Sequence, residues 1–81
     1  MKKIEVLGTG CYKCIQLETL LHEILGELGH PEIKIERITD EHTIRKFMPV
    51  DEIPGLVIDG HLVSNNIVPS KEELRNWLSA N

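Results

Sequence analysis

The sequence predicts a small α/β domain, a mixed four-stranded sheet carrying three helices in the order β-α-β-α-β-β-α. Three observations predict it. A short apolar run, Ile4 to Leu7, ends in glycines and is followed by apolar residues at helical spacing. An Asp59-Gly60 pair joins two further apolar runs, as in a β-hairpin. Ser70 with Glu73 three residues later opens a last amphipathic segment.

The elements follow in order. "IEVL" reads as a strand that Gly8 and Gly10 turn into a loop. From Tyr12 onward, Leu17, Leu20, Leu21, Ile24, Leu25 and Leu28 form one helical stripe, while Gln16, Glu18, Thr19, His22, Glu23 and Glu27 take the other face. Gly29 fits the left-handed position after that helix, and Pro31 prevents its continuation. Glu32 to Ile38 alternates isoleucines with Lys34 and Glu36, the pattern of a half-exposed strand at a sheet edge. "TDEHTIRKFM" begins with the capping residues Thr39 and Asp40, carries Ile44, Phe47 and Met48 on one side, and stops at Pro49. "GLVIDGHLVS" is the hairpin, and "SKEELRNWL" a capped helix burying Leu74, Trp77 and Leu78. A helical crossover makes the first two strands parallel, and the first strand is expected in the sheet interior.

At 81 residues the chain is expected to be one domain over 1–81. A domain of that size buries only about 60% of its unfolded surface, so it needs a well-packed core. The net charge of −4, with no basic block, argues against nucleic-acid binding through phosphate neutralisation. No apolar run is long enough for a signal-peptide core or a membrane span, so the expected location is the cytoplasm.

Cys11 and Cys14 are the two cysteines of the chain, in "GTGCYKCIQLETLL". In a reducing compartment a CxxC pair points to disulfide exchange or metal binding rather than a permanent staple. A staple this short would also stabilise little, because the effect grows with the loop it closes. Cys11 falls where loop meets helix, and there unpaired N–H groups and the helix dipole favour a thiolate. Cys14 lies one turn along the same face, more shielded by the helix. That asymmetry suits a nucleophile and a resolving thiol.

Soft-metal binding remains the alternative, since copper-chaperone-like domains also place CxxC between a first strand and first helix. Here, however, the second strand leads into a helix, and no other cysteine can complete a tetrahedral zinc site. His22, His30, His42 and His61 are scattered, and no metal ligand set is expected. Pro54, opening an apolar strand in "EIPGLVIDG", is either a strand-opening residue or half of a cis peptide.

Together "GCYKC", "IPGLVIDG" and the closing "VPSKEEL" resemble the thioredoxin-like superfamily, in particular its small, glutaredoxin-sized members of the redox-active disulfide type. The resemblance covers essentially the whole chain. It implies a thioredoxin-like fold with sheet order 2-1-3-4. It also implies a thiol–disulfide oxidoreductase that needs no cofactor besides its own Cys11–Cys14 disulfide. Cys11 matches the family's nucleophile, Cys14 its resolving cysteine and Pro54 its cis-proline. The Ile53 backbone would pair with an extended substrate segment, as an added strand does. Tyr12, Lys13, Ile53 and Pro54 are thus the candidate substrate-binding residues. Glu5, six residues before Cys11, stands at the spacing of the family's buried proton-shuttling carboxylate and is the candidate proton acceptor.

The implied partners are protein disulfides and an upstream disulfide reductase, with the chain a monomer or weak homodimer. The sequence departs from the family at Tyr12-Lys13, which is neither Gly-Pro nor Pro-Tyr, and at Gly10, where thioredoxins carry tryptophan. It departs again at Ser64 to Asn66, where glutaredoxins use a glycine pair to hold glutathione. A soft-metal or metalloid handler and a thioredoxin-like interaction scaffold are the alternative readings.

Overall fold

The computed structural model describes residues 3–8, 12–30 and 32–79, and its elements run in the expected order. β1 (Ile4–Leu7) leads to α1 (Tyr12–Glu27), β2 (Ile35–Ile38) and α2 (Glu41–Ile44). A 3-10 turn (Val50–Glu52), β3 (Gly55–Ile58), β4 (His61–Asn65) and α3 (Lys71–Ser79) follow. The sheet order is β2-β1-β3-β4, with β1 parallel to β2 and antiparallel to β3. β1 is therefore interior, and all of its residues are buried.

Strand alternation sends the side chains of β1 into two cores. Ile4 and Val6, with Leu56 and Ile58 of β3, meet Leu17, Leu21 and Ile24 of α1 and Leu74 and Leu78 of α3. Leu7 and Val57 face the opposite way and pack against Ile44 and Met48. Helices thus cover both faces: α1 and α3 one, the short α2 and the segment after it the other.

Each helix end follows its local chemistry. Gly29 closes α1 at φ 78°. The His30 N–H donates to Leu25 O at 2.9 Å and the Gly29 N–H to Gly26 O at 3.3 Å, the paired bonds of a Schellman cap. Ser70 and Glu73 form the expected capping box. The Glu73 N–H donates to Ser70 Oγ at 3.2 Å, and the Ser70 N–H to Glu73 Oε1 at 3.4 Å. Asp59 (φ 51°) and Gly60 (φ 83°) both take the left-handed conformation that a type I′ hairpin turn demands.

Four details differ from the expectation. β2 begins at Ile35 rather than Glu32, and the Ile33 N–H donates instead to His30 O. α2 ends at Ile44, well short of Pro49. After Arg45 the chain tightens, with Lys46 N–H on Thr43 O and Phe47 N–H on Ile44 O, the i→i+3 pattern of a 3-10 end. Asp40, not Thr39, is its N-cap, accepting from the Thr43 N–H at 3.0 Å. Finally, β4 carries a bulge: Leu56 pairs with Ser64 and Val57 with Leu62, leaving Val63 extra.

Ion pairs tie α3 to α1 across their exposed sides, Lys71 Nζ to Glu23 Oε2 at 2.7 Å and Arg75 Nε to Glu27 Oε2 at 2.9 Å. The Arg75 hydrogen bond, with the charges of Arg75 and Lys71, holds the Glu27 carboxyl below its ordinary value against a smaller desolvation effect. A depressed carboxylate contributes stability above its unfolded value and loses it as pH falls through the folded one. Glu27→Gln should therefore lower the melting temperature at neutral pH and match the parent once the pH falls below the carboxylate range. Thermal unfolding scans across that range check this.

Candidate active site

Gly8, Cys14 and Ile53 converge at the C-terminal end of β1. Gly8 extends the β1–β2 pairing by one residue, its N–H donating to Ile38 O at 2.9 Å. Cys14, in the first turn of α1, is fully buried and belongs to the core beneath that helix. A Cβ placed on Gly8 would overlap the Cys14 Sγ and lie 3.6 Å from the Ile53 Cβ. The sulfur thus rests on bare backbone, with the residue before Pro54 alongside.

The Ile53–Pro54 peptide bond is cis. Pro54 is fully buried, while Ile53 is half-buried and extended at φ −69°, ψ 149°. The Ile53 carbonyl accepts no hydrogen bond from the described residues. The loop is anchored from the far side: the Asn66 N–H donates to Pro54 O at 3.0 Å and to Glu52 O at 2.7 Å. Asn65 Nδ2 reaches Glu52 Oε1 at 3.3 Å. Asn66 sits at φ 64°, a left-handed position that asparagine tolerates better than most residues.

The remaining site residues named from the sequence fall as follows. Cys11 lies outside the described residues, as does Gly10. Tyr12 opens α1 and is 78% exposed, and Lys13 is exposed beside it. With Ile15 and Ile67, Tyr12 makes up the large apolar side chains left open to solvent among the described residues. Ile67 directly follows Asn66, so apolar surface flanks the cis-proline loop as well as the first turn of α1.

Glu5 is 9% exposed, and strand alternation puts it on the sheet face of Leu7 and Val57, opposite Glu36 of β2. Cys14 belongs to the core on the other face. The two are therefore not brought into one cluster, and any proton passing between them has to round the Gly8 end of β1.

Sequence reasoning treated Gly8 only as the end of a strand. A glycine closing a buried strand three residues ahead of a CxxC was the available signal, because such a glycine marks a close backbone approach. Asn66 was noted only as a substitution. Its N–H is held by Glu52 O and Pro54 O, contacts that the sequence alone does not show.

Among the described residues no group of three or more His, Cys, Asp or Glu is placed to hold a metal ion. Nor is any helix there long and apolar enough to cross a membrane.

Comparison with known sequences matches residues 2–79 to the family described as thioredoxin domain. The chain belongs to the thioredoxin family. A thioredoxin of Methanothermobacter thermautotrophicus is 38% identical over 79 residues, covering 98% of this chain and 100% of that protein. A thioredoxin of Methanocaldococcus jannaschii is 32% identical over 80 residues, covering 99% of this chain and 90% of its own. Thioredoxins act without a cofactor, through their own redox-active disulfide. The family supports a function of the thiol–disulfide oxidoreductase kind, and soft-metal handling is not favoured.

Proposed function

We propose that the chain is a single-domain, cytoplasmic protein disulfide oxidoreductase that cycles Cys11 and Cys14 between dithiol and disulfide. In this mechanism the Cys11 thiolate attacks one sulfur of a protein disulfide. A mixed disulfide forms, and the other substrate sulfur leaves as a thiolate that takes up a proton. The positive end of the α1 dipole favours the attacking thiolate. Cys14 then gives up its proton and attacks Cys11. The mixed disulfide breaks, the Cys11–Cys14 disulfide forms, and the second substrate sulfur is released. An upstream reductase returns the pair to the dithiol.

The observation that carries this reading is the seat of Cys14, buried against Gly8 and beside Ile53–Pro54. A resolving thiol shielded from solvent cannot compete for the first attack. The extended Ile53, with its open carbonyl, suits an added strand of substrate, and Tyr12 and Lys13 stand exposed where that segment would pass. Catalysed reduction of insulin disulfides by dithiothreitol tests the proposal. Acceleration by the reduced chain is expected, and a rate equal to dithiothreitol alone would leave an interaction scaffold as the better reading.

Glu5 is proposed as proton acceptor for Cys14, acting around the end of β1. Glu5→Gln should then change the pH dependence of the exchange rate, since only a titrating base alters that profile. An unchanged profile, measured between acid and alkaline limits, removes Glu5 from the mechanism.

A further inference from the structure

We infer that Gly8 is a positioning residue for the resolving step: its missing side chain is the seat of the Cys14 sulfur. This inference rests on the exchange reading above. Any Cβ at position 8 would overlap the Cys14 Sγ and would stand 3.7 Å from the Cys14 Cβ and 3.6 Å from the Ile53 Cβ. In neither wall can the backbone yield easily. Cys14 is fully buried in the core beneath α1, one turn before Leu17, which is equally buried. Ile53 is fixed by the buried Pro54, whose carbonyl is held by Asn66. Gly8 itself is held in the sheet by its bond to Ile38 O. The sulfur is therefore the atom that has to move, and a side chain at position 8 would push it off its seat.

Exchange depends on that seat in only one of its two steps. In the first, Cys11 attacks the substrate, and Cys14 takes no part. In the second, the Cys14 thiolate forms a bond to the Cys11 sulfur, the mixed disulfide breaks, and the substrate sulfur leaves and is protonated. Attack on a disulfide needs the three sulfurs close and aligned, and a misplacement of about 1 Å can cost on the order of 100-fold in rate. Gly8 thus governs how long the mixed disulfide lives, and leaves its formation alone.

Two measurements on Gly8→Ala test this. In the first, reduced protein reacts with 5,5′-dithiobis(2-nitrobenzoate). One thionitrobenzoate is released by the attack of Cys11 and a second by the resolving attack of Cys14. Gly8→Ala should leave the first phase at the parent rate and slow the second about 10- to 100-fold. Equal slowing of both phases, or of neither, overturns the inference. A parent chain that releases only one thionitrobenzoate overturns the exchange reading and this role with it.

The second measurement separates sulfur seating from general fold damage and does not depend on exchange. Gly8→Ala should lower the unfolding midpoint in the parent, yet lower it far less in a Cys14→Ala background, where no sulfur occupies the seat. If the alanine is equally damaging in both backgrounds, or the double variant does not fold, Gly8 serves the strand rather than the thiol and the inference fails.

Discussion

Cys11→Ser should abolish catalysed insulin reduction, whereas Cys14→Ser should keep the attacking step and stall after it. The difference follows from the burial of Cys14. Cys14 is sealed beneath the first turn of α1 and against Gly8, so it is closed to a substrate sulfur arriving from solvent. A Cys14→Ser chain incubated with a disulfide substrate should accumulate a covalent adduct, detected by mass and released by excess dithiothreitol. Cys11→Ser should form none at a comparable rate. If Cys11→Ser kept its activity, the division of roles between the two thiols would be wrong.

Leu21→Ala should produce the largest loss of stability with the least effect on chemistry. Leu21 is fully buried two turns beyond Cys14, in the core that α1 and α3 share with the sheet. Truncating such a leucine removes apolar contact and leaves a cavity, at a cost of about 2–5 kcal/mol. For a domain of this size, about 3 kcal/mol corresponds to a melting temperature roughly 12–24 °C lower. Because whole domains are held by only about 5–15 kcal/mol, that is a large share of the total. Thermal and urea unfolding check the magnitude. The folded variant, assayed well below its transition, should still reduce insulin at close to the parent rate.

Legibility in the sequence followed the range of the forces involved. β1 was readable to the residue because an apolar run is cut short by Gly8, and the hairpin because Asp59-Gly60 suits only a few backbone conformations. The α1 cap at Gly29 and the capping box at Ser70 and Glu73 are likewise local. α2 was overdrawn because Pro49 sets an outer limit to a helix and says nothing of where packing ends it. Its tightening after Ile44 brings Met48 against Gly55 and Leu7, an outcome fixed by contacts distant in sequence. The bulge at Val63 is a matter of pairing between strands and leaves no mark on either alone.

At the site, residue chemistry pointed to Cys14 and to Ile53–Pro54. That both should meet at Gly8 needed the third dimension. Glu5 shows the converse: its spacing from Cys11 is readable, while the sheet face it occupies depends on how β1 is covered.

The most direct test of the central claim is a redox titration of the Cys11–Cys14 pair in dithiothreitol buffers, read by mass after thiol alkylation. The expected result is one reversible two-electron transition, with about 30 mV per tenfold change in the equilibrium constant. Its midpoint should not depend on protein concentration, since the disulfide closes within one chain. A pair that stays reduced throughout, or that oxidises only between chains and so shifts with concentration, would contradict it.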